Sequence, residues 1–402
     1  MNDDLQSLID ELEPALAAAF LAAIAILRSG INFPLLVAAL REGDIETAID
    51  ALNIERGAFT VYVMEKQNGF AKAGEKTAEL LTESRARARP KRDTSYPALR
   101  SPVLTPPADP DATGPSGPGE PPRNPPTLDA PGGGKVIFRF DMTNPRAEQK
   151  IRTEAAARVA GYVEEQIETA RRVIADGFAR GEGPQNIATD IAGRINPISK
   201  RREGGIIGLS DPQAGYVESM RARLLSDDPE EMMKVLGRFG DDGEWIEGTG
   251  LTLRDRRFDA QIKRAIRDVA AGKRNPLTRA KVDEMTARYS DRLLARRAED
   301  IARTETASGV EMARAEATKQ ALNRAGLPGE AVTKGWYHSG GIENARAQHL
   351  AMHGKEVIGI DTHFILPDGT LMLHPHDPAG GAKHNVSCRC RGDQDIDWAY
   401  GL

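Results

Sequence analysis

Thirteen of the chain's 25 prolines fall between Pro90 and Pro131, interleaved with Gly, Asp, Ser and Thr. A stretch of that composition cannot bury enough apolar surface to offset the entropy lost on ordering it. It is expected to form an extended, partly polyproline tether, so no single core can run through this chain. The basic run Arg85 to Arg92 (RARARPKR) precedes the tether, and Gly132-Gly133-Gly134 closes it. Four segments follow from this division: an N-terminal helical region over 1–85, the linker over 86–134, a second helical region over 135–325, and a C-terminal module over 326–402.

With 40% hydrophobic and only 5% aromatic residues, the folded parts suit a mainly α-helical protein better than a β-rich one. The net charge of −5 excludes a chain built overall to coat nucleic acid, yet residues 251–300 carry 14 Lys/Arg against 8 Asp/Glu. Two cysteines spaced C-x-C cannot make a disulfide framework, which points to synthesis in a reducing cytosol. Residues 14–27 (PALAAAFLAAIAIL) are apolar without interruption. They are too short for a bilayer span and are expected to form a buried helix. The acidic Asp3, Asp4, Glu11 and Glu13 before them are unlike the basic start of an export signal.

Helical periodicity is strong on both sides of the linker. Ile45, Ala48, Ile49 and Leu52 carry it before the linker. After it, Val159, Val163, Ile167, Ala170, Ile174 and Phe178 keep one apolar face over about five turns. Gly181-Glu182-Gly183 should stop that helix, and Pro184 should start the next, in which Ile187, Ile191 and Ile195 recur every fourth residue. Residues 255–325 read as helix again, broken at Gly272 and around Asn275-Pro276. Val136, Phe138 and Phe140, alternating with Ile137 and Arg139, read as a short strand.

All seven histidines and both cysteines lie between His338 and Cys390. Around them the pattern predicts a small α+β module. Trp336 and Tyr337 close a strand, and residues 342–353 form a helix. Strand candidates follow at 357–360 and 364–372, the second broken by the turn signal Pro367-Asp368-Gly369. Such a module has little apolar material, and a structural metal would compensate for the shortage. Cys388-x-Cys390 is the strongest single motif, because two thiolates can bind one ion. The remaining ligands are expected from His349, then one of His376, His384 or His374. Arg346 and His349 are three apart and His349 and His353 four apart, which places them on one helix face. Mixed Cys/His ligation favours zinc over the oxygen-seeking magnesium or calcium. The alternative is a reduced, metal-free pair packed beneath the hairpin. His338, His353 and His363 receive no role.

The order Arg303-Thr304-Glu305 in a helix, then Trp336, Arg346, His349, Gly354 and a terminal Cys388-Arg389-Cys390, resembles the phage Mu F-like head morphogenesis family, which includes the SPP1-type minor head proteins. The resemblance covers roughly 135–402 and is firmest from about 298 to 391. The segment Phe140 to Arg146 (FDMTNPR) resembles the front of that region. The family usually reads Asp-x-Arg-x-Arg before the histidine. Here Glu343-Asn344-Ala345-Arg346 replaces the acid and lacks one arginine.

The resemblance implies a phage or prophage virion component, made in the host bacterial cytoplasm and placed in the capsid interior or at the portal vertex. Its partners would be portal, major capsid or scaffold subunits, and in some members the packaged DNA. No catalytic residue is expected, and Arg303, Glu305, Trp336 and Arg346 are expected to have structural or binding roles. Arg303 and Glu305, two apart on a helix, do not face each other, so one should point inward and one outward. The N-terminal helices on their tether would reach a second partner.

Two further features are open to other readings. The basic stretch with Arg254, Arg256, Arg257, Lys263, Arg264 and Arg267 has few aromatics. It is either a solvated helix face or a sequence-independent phosphate contact. The run His374-Pro375-His376-Asp377, followed by Asn385, superficially resembles an HNH nuclease core with a general-base histidine and a metal-binding histidine. A metal-dependent nuclease in phage DNA processing is therefore the alternative function. Against it, no histidine follows Asn385, and HNH proteins with structural zinc use two C-x2-C pairs. A toxin carrier is less expected, since only 12 residues follow Cys390.

Overall fold

The structure, a computed structural model, describes residues 2–86, 137–339 and 345–401. The expected tether beyond Ala86, the glycine triplet, Val136 and Glu343-Asn344 lie outside these residues. The architecture is mainly α-helical with a small C-terminal α+β module. Its compact units are not contiguous in sequence. One unit comprises Met1–Leu12, Lys66–Arg152 and Arg303–Leu402, and the other Glu13–Glu65 and Thr153–Ala302. The segments 1–85 and 135–325 each contribute to both.

The chain begins with α1 (Asn2–Gly30), α2 (Phe33–Glu42), α3 (Ile45–Asp50) and α4 (Thr60–Ala86). After the linker come α5 (Pro145–Ala179) and α6 (Pro184–Ala192), then a short β1–β2 pair (Arg194–Ile195, Arg202–Glu203). Next are α7 (Asp211–Leu225), α8 (Pro229–Met233), the β3–β4 pair (Gly237–Phe239, Trp245–Glu247), α9 (Asp259–Ala270) and α10 (Arg279–Ala325). Local chemistry sets these boundaries. The Asn32 side chain accepts the Leu35 N–H and caps α2, and Asp44 does the same for α3 through Thr47. Pro184 opens α6, where a missing N–H costs nothing.

In the unit formed by Glu13–Glu65 and Thr153–Ala302, the core gathers Leu16, Phe20, Ile24 and Leu27 of α1 with Phe59, Tyr62, Ile174, Ile191, Met220 and Leu294. Each such side chain, fully buried, contributes about 1.5–3 kcal/mol. The stripe of α1 therefore packs into a protein core, as expected. The longer span Asp4–Gly30 is long and apolar enough to cross a membrane by length and composition alone, a test that a core helix also passes.

The basic stretch is largely answered by its own neighbours. Arg254 is buried, with its guanidinium bidentate on Asp259 at 2.9 and 2.8 Å. Arg257 grips Asp255 at 2.6 Å, and Lys273 pairs with Asp268 at 2.9 Å. Arg256 is exposed and has no ion-pair partner among the described residues. A surface phosphate contact is thus closed to Arg254, because its carboxylate partner and the burial cost hold the charge inside.

In the other unit, the C-terminal part of α10 is buried although it is polar. Thr304, Glu305, Ser308, Glu311, Arg314, Glu316, Thr318 and Gln320 are all buried. Most of their polar groups have a specific partner, although Arg314 Nη2 and Glu311 Oε2 meet only as an ion pair at 2.8 Å and Arg314 Nε makes no hydrogen bond. Glu305 accepts Lys66 Nζ at 2.5 Å. Arg146 holds Glu316 bidentately at 2.9 Å, and Gln320 exchanges two bonds with the backbone of Asp141. The FDMTNPR segment is thereby laced to α10. The strand expected at 136–140 is not formed over 137–140. Phe138 instead donates its N–H to Thr82 Oγ1 at 2.9 Å and stacks on Trp398 at 5.2 Å. Ring burial satisfies the alternating pattern without a ladder.

A three-stranded antiparallel sheet of order β6-β5-β9 covers this seam, with β5 (Val332–His338) central between β6 (Lys355–Ile358) and β9 (Cys390–Ile396). Gly392 of β9 donates its N–H to Glu311 at 2.9 Å. A Cβ there would lie 2.3 Å from Arg314 Nη2 and 2.9 Å from Glu311 Oε2. Gly392→Ala is expected to destabilise the protein by about 1–3 kcal/mol through overpacking, read as a shift of the urea midpoint at unchanged m.

Candidate metal centre

The site is built where β5, β9 and the loops between them meet. Among the described residues, these short elements lie between the two strands besides β6: α11 (Ala347–Leu350), the hairpin β7–β8 (Phe364–Ile365, Leu371–Met372), a 3-10 turn (Pro378–Gly380) and α12 (Gly381–Asn385). The hairpin turn falls at Pro367-Asp368-Gly369, with Gly369 at φ 84°, a conformation that glycine adopts without strain. The helix expected over 342–353 is confined in the described residues to Ala347–Leu350, and the chain turns at once afterwards. His349 and His353 therefore do not share a helix face. His353 Nδ1 accepts the backbone N–H of His338 at 3.1 Å.

His349, Cys388 and Cys390 are all buried and bring their ligand atoms within 4.8 Å of one another, close enough to hold a metal ion. His349 Nδ1 lies 3.3 Å from Cys388 Sγ and 3.4 Å from Cys390 Sγ. The Cys390 N–H donates to Cys388 Sγ at 3.3 Å. Cys388 is drawn well below the ordinary thiol range, first by its hydrogen bond with the Cys390 side chain and then by His349, while that same bond and burial push Cys390 up. A divalent cation bound there would draw the protons off both thiols.

Most residues singled out in the sequence surround this group. Trp336 is fully buried and packs edge-on against His349 at 5.8 Å and Phe364 at 5.4 Å. Arg346 donates to Val386 O at 2.7 Å, tying α11 to the cysteine loop. Thr304 Oγ1 accepts the Ser387 N–H at 3.2 Å, and the Gly354 N–H donates to Trp336 O at 2.8 Å. Glu305 is the inward member of its motif and Arg303 is half-buried.

His376 is not among the converging ligands. Its Nε2 faces Cys390 O at 2.9 Å, and the His376 carbonyl accepts Ser308 Oγ at 2.9 Å. Its backbone is left-handed, at φ 63°, and its Nδ1 is buried without a hydrogen-bond partner. His374 is likewise spent on a neighbour, with Nδ1 at 2.8 Å from Pro375 O, and burial holds it down to about 4. Asn385 Nδ2 donates to Asp377 O at 2.6 Å. The HNH-like residues therefore serve as internal ties.

Sequence reasoning offered His384 only as a possible metal ligand, and missed Asp368. His384 Nδ1 lies 3.1 Å from His349 Nε2, and His384 Nε2 lies 3.0 Å from Asp368 Oδ2. Asp368 is kept ionised chiefly by its hydrogen bond from Lys383, at 2.5 Å. The turn signal placed Asp368 in a loop, but nothing local marked it as a histidine partner.

Lys334, on the same face of β5 as Trp336, is 2% exposed and donates to Thr362 O at 2.6 Å and Leu373 O at 2.8 Å. Burial pushes its amine down to about 7. A neutral amine still has two N–H groups for those carbonyls. The unfolded lysine keeps its proton to above pH 10, so between about pH 7 and 10 the unfolded chain binds more protons and stability rises with pH. From pH 7 to 9 the wild type should gain about 2 kcal/mol that Lys334→Met lacks. Urea unfolding at both pH values reads the difference.

No protein-family model, no curated protein and no solved structure matches this chain.

Proposed function

We propose that this chain is a phage or prophage minor capsid protein that acts in head morphogenesis. It would bind portal or capsid subunits, with its C-terminal module held closed by a structural zinc ion. One observation carries the reading. The residues that bear the family resemblance, from Thr304 through Trp336, Arg346, His349 and Gly354 to Cys388 and Cys390, meet around one buried centre. Buried thiolates and imidazole suit a fastening role, because catalytic zinc keeps an open coordination position. Non-specific contact with virion DNA would fall to Arg256 and to the exposed Arg264 and Arg267 of α9.

Full-length tagged chain, co-expressed with the portal, capsid and scaffold subunits encoded beside it, is expected to co-purify with the portal. Association with none of them removes the reading. Plasmid DNA with Mg²⁺ or Mn²⁺ should remain intact in its presence. Nicking that is lost in both His374→Ala and His376→Ala would replace this proposal with the nuclease.

A further inference from the structure

His338 sits at the end of β5, directly opposite Cys390 of β9 in the antiparallel register. Cross-strand partners project to the same side of a sheet. The ladder therefore places this histidine beside Cys390. Its ring lies outside the trio whose ligand atoms all fall within 4.8 Å of one another, so it must swing inward to meet a bound ion. His338 Nδ1 lies 3.6 Å from Cys390 Sγ. The bond from its own N–H to His353 Nδ1 at 3.1 Å fixes the strand end.

The three nitrogen–sulfur separations can be compared with a known polyhedron. Zinc–sulfur bonds of about 2.3 Å and zinc–nitrogen bonds of about 2.0 Å at tetrahedral angles give a nitrogen–sulfur edge of about 3.5 Å. The observed edges are 3.3 and 3.4 Å from His349 and 3.6 Å from His338. His376 meets the strand's carbonyl instead.

Proton bookkeeping sets the tautomer of His349. The Asp368 carboxylate can only accept, so His384 Nε2 carries its proton toward it. His384 Nδ1 is then an acceptor, and His349 Nε2 must donate to it. That leaves a lone pair on His349 Nδ1, aimed at two sulfurs nearly equally distant. A single cation placed there would engage that lone pair and both sulfurs at once. Metal-bound histidines usually have their other ring nitrogen held in this way.

We infer that the centre is a closed Cys2His2 site for a zinc-class divalent ion, with His338 Nδ1 as fourth ligand beside His349 Nδ1, Cys388 and Cys390, and that His384 and Asp368 are positioning residues that hold His349 in its ligating tautomer. The inference rests on the metal reading given under Proposed function. It adds ligands and a proton order to that reading, and the two fail separately.

The full-length protein loaded with Zn²⁺ or Co²⁺ tests it. X-ray absorption of the zinc form is expected to give two sulfurs and two imidazoles. In the cobalt form, His338→Cys should raise the thiolate-to-metal absorption by about half, as the thiolate count goes from two to three. His376→Gln should leave it at wild type. His384→Ala should bind zinc about 10–100-fold more weakly with the same ligand count. It should also lose the slowly exchanging, paramagnetically shifted Nε2 proton of His349 in the cobalt form. One imidazole with a water in the wild type, or an unchanged His338→Cys spectrum, overturns the fourth-ligand assignment while the three-residue site stands. Unchanged affinity and an unchanged Nε2 proton in His384→Ala overturn the relay. A wild type that takes up neither ion removes the metal reading beneath both.

Discussion

Glu305→Ala is expected to destabilise the protein by about 3–5 kcal/mol, the usual cost of taking one partner from a buried ion pair. The Lys66 side chain is 2% exposed and that of Glu305 4%, with the charged atoms 2.5 Å apart. Removing the carboxylate leaves an ammonium in a medium that solvates it poorly. The double variant Lys66→Met/Glu305→Met should recover most of the loss, since apolar groups of similar volume replace a buried pair at little net cost. Denaturant unfolding of the two single variants and the double variant measures the coupling. A single-variant loss below about 1 kcal/mol would put the pair among surface-like bridges. If the double variant also keeps its portal association, Glu305 is a structural residue and does not contact the partner.

Loss of the metal should have an effect of similar size. With free zinc at about a thousand times its dissociation constant, bound zinc stabilises the native state by about 4 kcal/mol. Cys388→Ser and His349→Ala are each expected to reduce bound zinc from one ion per chain to near zero and to lower the melting temperature to that of chelator-treated wild type. The effect follows from the small core around the site, where Trp336, Met352, Phe364, Leu366 and Met372 pack with the two cysteines. Little other apolar material holds the hairpin to the sheet. His376→Gln should keep its zinc. A reduced wild type that carries no zinc, with a melting temperature indifferent to chelator, would return Cys388 and Cys390 to ordinary buried thiols.

Much of the helical framework was legible in sequence because its signals are local. Gly183-Pro184 opens a helix and Gly43 ends one through backbone geometry alone. Pro367-Asp368-Gly369 makes its turn for the same reason. His349, Cys388 and Cys390 were legible from residue type, since few other groups bind soft metals. His338 was not legible. Its place beside Cys390 depends on strand register, set by residues 52 positions apart in sequence. His376 was misplaced because its spacing and chemistry suit a ligand, while its Nε2 faces Cys390 O. Arg254 looked like a phosphate contact because composition counts charges without their partners, and Asp259 is its partner.

Sequence by itself determined most of the long helices, the principal turns, and which residues have metal-binding chemistry. Each of those properties is decided within a few residues, by dihedral preference, apolar period and side-chain type. Tertiary structure decided which charges are buried in pairs, how segments 1–85 and 135–325 are divided between two units, and which histidines face the sulfurs. Those outcomes depend on burial and strand register, which bring together residues far apart in the chain and which no local pattern encodes.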